Sequence, residues 1–129
     1  MLAFILDELK SVSDPERIEG MKRYAIGTDK AIGVSLPDIR SIAASSKKRI
    51  VLADRHLLAK QLWDTEIHEA RILASMIDNP KEVTKKQMDQ WTRDFYSWDL
   101  CDQVCNNLFQ KQIFFLTKRL IIPMPKLNL

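Results

Sequence analysis

The chain has 129 residues, 46% hydrophobic and 29% charged, which fits one soluble globular domain with a real core and leaves too little for two. The formal net charge is +3, yet residues 1–109 carry 16 Lys/Arg against 17 Asp/Glu, while residues 110–129 carry four basic residues and no acid. Net charge is therefore no argument that the main body binds nucleic acid, and a total of three glycines argues against a turn-rich β fold.

The opening MLAFILDELK has an apolar run of six residues closed by Asp7 and Glu8, unlike a secretory leader. No later run approaches membrane-spanning length, so no membrane partner is expected. A cytoplasmic location with two reduced thiols follows as an expectation. Residues 2–12 read as a short amphipathic helix. SDPERIEGMKRYAIG reads as the next, with Asp14 to cap, Pro15 at the first helical position and Glu16 at the positive end. GTDKAIGVS is a loop whose glycines lack the Gly-Lys-Ser/Thr ending of a phosphate loop, which removes nucleotide binding there.

SLPDIRSIAASSKK predicts a helix entered through Ser35 and Pro37 and ending in basic residues. VLADRHLLAKQLWD predicts another, with Leu57, Leu58, Leu62 and Trp63 on one side. Thr65 can cap EIHEARILASMID, where Ile67, Ala70, Leu73, Ala74 and Ile77 follow helical spacing until Asn79–Pro80 stops it. Thr84 with Gln87 is a capping box opening KKQMDQWTRDF, and Ser97 can cap the last helix. The count is seven helices with short connections and no strand. From Leu52 onward they pair antiparallel, with second members starting near Thr65 and Ser97, roughly thirty residues apart, close to the period of helical-repeat solenoids. The expected fold is an all-α helical-repeat solenoid over 1–109, whose concave face suits a long ligand. Residues 110–129 form a divergent apolar and basic tail.

Several residue clusters carry chemistry. Cys101 and Cys105 are four apart and so neighbours on a helix. Zinc would need two more ligands, His56 and His68 are distant in sequence, and a redox pair would normally be Cys-x-x-Cys, so the core reading is favoured and no metal or cofactor is expected. His68–Glu69 begins a His-Glu-x-x-His motif, but position 72 is Ile. His68 and Arg71 instead fall on the polar shoulder of their helix, where a solvated or salt-bridged role is at least as well supported as a functional one. Lys47–Lys48–Arg49 reads first as an ordinary solvated helix end.

At about 100° per residue, Trp98, Phe109, Cys105, Cys101, Leu108, Val104 and Leu100 cover one apolar arc. Asp102 falls about 40° from Trp98 at the edge of that arc, and Asp99 is explained by the helix dipole. A carboxylate beside an indole can stabilise a cation. Equally, Asp102 can accept a hydrogen bond from a neighbouring repeat.

RYAIGTDKAIGVSLPDIRSIA, LWDTEIHEARILASMI and WTRDFYSWDLCDQVCNNLF together resemble the DNA alkylation repair (AlkD-like) family of HEAT-like repeat DNA glycosylases. The resemblance runs from about Pro15 to Phe109. Its most specific part is Trp-Asp-x-x-Asp after a serine; Met21 to Tyr24 and Gly33 to Pro37 add to it. It implies excision of cationic N3- or N7-alkylated purines from duplex DNA, with the backbone cradled in the concave face and the base not drawn into a pocket. The matching catalytic positions are Trp98, against the deoxyribose, and Asp102, stabilising the oxocarbenium-like sugar and positioning water. Candidates for contact to DNA are Tyr24, which matches a family residue near the DNA, with Lys47, Lys48 and Arg71. The family continues for several more helices that supply an arginine; this chain leaves the pattern at about Gln110, Arg119 lies in unrelated sequence, and the chain reads as a shortened relative. Two other readings stand beside it: a non-catalytic helical-repeat module binding DNA or protein, and self-association through the 110–129 tail.

Overall fold

A computed structural model describes residues 1–23 and 31–113, with the side chains of 21–23 left aside. Among these residues there are seven α-helices and no strand, so the all-α expectation holds. They are α1 (Leu2–Ser11), α2 (Pro15–Arg23), α3 (Leu36–Arg49), α4 (Leu52–Asp64), α5 (His68–Ile77), α6 (Lys85–Arg93) and α7 (Trp98–Val104). A 3₁₀ turn (Pro80–Glu82) precedes α6, and a π-helical turn (Cys105–Phe109) continues α7, with helical backbone on to residue 113.

The boundaries follow local chemistry. Ser35 caps α3 by accepting from the Asp38 amide at 3.2 Å, with Pro37 in the first turn. Thr84 caps α6 by accepting from the Gln87 amide at 3.1 Å. The expected capping box is only half made, because Gln87 Nε2 donates to Asp78 Oδ2 at 2.8 Å instead of reaching back. Thr65 does not start α5. Its hydroxyl donates to the Leu62 carbonyl at the end of α4 and accepts from the Ile67 amide, and Glu66 turns the chain with φ 63°. Gly33 has φ +78°, and a Cβ there would lie 2.1 Å from the Asp14 carbonyl oxygen, so only glycine fits this approach of the loop to α2.

α5 is the centre of the molecule. Nine of its ten residues are buried, because α3, α4 and α7 all pack on it. The surrounding core is Ile5 and Leu9 of α1, Ile39 of α3, Leu58, Leu62 and Trp63 of α4, and Leu100, Val104 and Leu108 after Ser97. Leu57, expected with Leu58 on the packed side, is 63% exposed. Trp63 stacks on Trp91 of α6 at 4.1 Å and 5°, so the α4/α5 pair and α6 meet through two indole faces. The paired reading of the second half holds to this extent: α5 and α7 begin thirty residues apart and pack side by side.

Candidate active site

The amino ends of α3, α5 and α7 converge. Ser35 and Ile39, His68 and Ile72, and Asp99 and Gln103 line one cavity of about 230 Å³, with Arg17 of α2 at its edge. The three helices therefore present their amino ends to one region, where helix dipoles favour negative charge. Two carboxylates occupy it. Glu69 is 1% exposed and accepts the backbone N–H groups of Ile32, Gly33 and Val34 at 3.0, 2.8 and 2.9 Å, which ties the loop before α3 to α5. Asp99 accepts from His68 Nε2 at 2.8 Å and from the Ser97 hydroxyl at 2.5 Å. Burial acts to raise its pKa, but these two bonds outweigh it and hold the carboxyl below the usual range.

Trp98 and Asp102 stand at the outer side of the same helix start. Trp98 is 83% exposed, and Asp102, one turn on, is exposed too. The expected place of Trp98 within the apolar arc is corrected. The arc is buried at Leu100, Val104, Leu108 and Phe109, while the indole stands off its end in solvent. Uniform spacing fails beyond Val104, because the π turn rotates the residues after it. The Asp102 carboxylate makes no hydrogen bond or ion pair among the described residues, so a bond from a neighbouring repeat is not what holds it. Cys101 and Cys105 are half-buried free thiols, and burial with the neighbouring Cys101 raises the Cys105 pKa, which disfavours the reactive thiolate.

The remaining candidates scatter. Lys47 and Lys48 are exposed in the last turn of α3, at the far end of the helix from the cavity. Partial screening of its ammonium from water, then the charges of Lys111 and Arg55, lower the pKa of Lys47, so α3, α4 and the end of the last helix bring three cations together. Tyr24 lies outside the described residues. Of the solvated or salt-bridged shoulder expected for His68 and Arg71, the solvated part is corrected, because α5 is buried at nine of its ten residues, while the carboxylates of Asp99 and Asp94 stand beside the two side chains as salt-bridge partners. Arg71 is 4% exposed, its Nε donates to the Trp63 carbonyl at 3.1 Å, and its guanidinium lies 4.9 Å over the Trp63 ring and 4.0 Å from Asp94. It is an internal cation, satisfied within the fold.

Sequence reasoning missed the network behind Trp98. The dipole explanation of Asp99 omits its bond to His68, whose other nitrogen, Nδ1, pairs with the Tyr96 hydroxyl at 2.5 Å. Ser97 does begin α7, but its hydroxyl bonds Asp99 rather than a backbone amide. The only signal in the sequence was a helix opening on His68–Glu69 with no capping residue at position 67. Among the described residues no three His, Cys, Asp or Glu side chains are grouped to hold a metal ion.

A family model described as DNA alkylation repair enzyme matches residues 5–119. No curated protein and no solved structure matches the chain.

Proposed function

The chain belongs to the DNA alkylation repair enzyme family, a helical-repeat DNA repair family, and from that premise we propose that it hydrolyses the N-glycosidic bond of cationic alkylated purines, of the 3-methyladenine and 7-methylguanine type, in duplex DNA. The observation that carries the proposal is Trp98. Burying a large apolar side chain contributes roughly 2–3 kcal/mol, and this indole forgoes it beside an exposed carboxylate on a well-packed helix. An indole of that kind is suited to lie against a deoxyribose, and Asp102 is suited to the positive charge that develops on the sugar.

The chemistry needs little more. The alkylated base already carries a positive charge, so it leaves with the electron pair of the C1′–N bond and becomes neutral. Asp102 stabilises the oxocarbenium-like sugar and orients a water, whose oxygen bonds to C1′ as its proton passes to the carboxylate or to solvent. No strong general acid is required. Lys47 and Lys48 are assigned to phosphate contacts, and Tyr24 to the same surface by its family match. Arg71 is assigned to holding Trp63, since its guanidinium is internal.

Single-turnover release of 7-methylguanine from methylated duplex DNA tests the assignment. Asp102→Asn is expected to slow release by about 100-fold or more, the size found when a charge-stabilising group is removed from an active site. Release at the wild-type rate would remove Asp102 from the chemistry. Salt-sensitive duplex binding without any base release would favour a non-catalytic DNA-binding module.

A further inference from the structure

His68 takes no part in the chemistry above, yet it is 2% exposed and commits both ring nitrogens to the segment that leads into α7. A carboxylate only accepts, so Nε2 carries the proton that goes to Asp99. Nδ1 pairs with the Tyr96 hydroxyl, accepting from it when the ring is neutral. Burial pushes the Tyr96 pKa up, which keeps that phenol protonated and able to donate. Ser97 adds a second donor to Asp99. Residues 96, 97 and 99 are thus fastened to one another or to α5, and Trp98 sits among them with its indole in solvent.

The fastening matters because α7 is weak by itself. It has seven residues before the π turn and no side-chain cap at its amino end. A second tie lies two turns on, where Asn107 Nδ2 donates to Ser75 of α5 and to Gln103, both at 3.1 Å. Between the two ties α5 and α7 pack together, and Leu73 of α5 and Val104 of α7 are both fully buried.

We infer that His68 is a positioning residue: through Tyr96 and Asp99 it holds the first turn of α7, so that Trp98 and Asp102 meet the DNA as one rigid pair. The consequence for catalysis rests on the glycosylase reading; the consequence for α7 does not, and two measurements separate them. The full chain is compared with Tyr96→Phe, Asp99→Asn and His68→Gln. Because His68 is buried its variant can fail to fold, and the two milder variants then decide, each checked for unchanged helicity by circular dichroism.

The first measurement is amide hydrogen exchange. Exchange at Leu100 to Gln103 should speed up by about fivefold or more in Tyr96→Phe and Asp99→Asn, with α4 unchanged within about twofold. Unaltered exchange in both variants overturns the inference, whether or not the chain releases bases. The second is single-turnover release of 7-methylguanine. Tyr96→Phe should slow it by about tenfold with duplex affinity within about twofold, and should cause no further loss on an Asp102→Asn background. An unaltered rate, or equal losses on both backgrounds, overturns positioning of the catalytic pair. If the wild-type chain releases no base, the glycosylase reading falls and the exchange result alone decides.

Discussion

Glu69 shows how much one buried side chain can do here. Its carboxylate serves three backbone amides of residues 32–34, the segment in which Gly33 approaches Asp14 and which leads into Ser35 at the start of α3. Removing it leaves three buried or half-buried donors without a partner, each costing about 1–3 kcal/mol. Glu69→Ala is therefore expected to lower stability by about 3 kcal/mol or more in urea unfolding. A loss under about 1 kcal/mol would mean the amides find other acceptors. Asp99 makes a prediction about pH. Its folded pKa is depressed, so its stabilisation is fully present above the ordinary carboxylate value of 3.8 and is lost as pH falls through the lower folded value. Asp99→Asn lacks that titration, so its deficit relative to wild type should widen as pH rises from about 2 to about 5 in thermal melts. Asp78 has the opposite sign. Burial raises its pKa against the bonds from Gln87 and His56, so its contribution favours the fold below 3.8 and fades as pH rises through the folded value.

At the scale of elements, caps and periodicity are legible in the sequence and mutual contacts are not. Ser35 and Thr84 announce themselves as caps by residue type and position, and each accepts the expected amide. Ser35→Ala and Thr84→Ala should each cost about 1 kcal/mol in denaturant unfolding. Thr65 misleads because a β-branched hydroxyl residue before an amphipathic run suits a helix end as well as a start, and here Glu66 in the left-handed region settles it as a turn. A solvated shoulder on α5 fails for a related reason. Helical spacing says which residues share a side, but not how many neighbours a helix will have. α5 has enough to bury Glu69, His68 and Arg71, and each of them survives burial by bonding to another segment. The two Trp-Asp pairs illustrate the same point. Trp63 and Trp98 are each followed by aspartate, yet Trp63 is 2% exposed in an aromatic stack and Trp98 is 83% exposed.

Across the whole molecule, the amino ends of α3, α5 and α7 gather carboxylates near Trp98 and Asp102, while Lys47, Lys48 and Lys111 gather at the other end of the same helices. On the proposed reading, a duplex that reached both ends of α3 would meet Trp98 and Asp102 near one end and the lysines at the other. Lys47→Ala with Lys48→Ala should weaken duplex binding and reduce the slope of log affinity against log salt by about 2, one for each phosphate that is no longer neutralised. An unchanged slope would move the DNA surface elsewhere. By itself the sequence determined the all-α class, the helix order, most helix ends, and, through the Trp-Asp-x-x-Asp stretch, the family and the pair Trp98 and Asp102 as its candidate site. Those features rest on local chemistry: capping, proline geometry, the 3.6-residue period and a short spaced motif. Only the tertiary structure decided that Trp98 stands in solvent, that Arg71 is internal, and that His68 reaches across to hold the start of α7. The physical reason is that burial and hydrogen-bond partnership belong to residues some thirty positions apart in the chain, which no local pattern encodes.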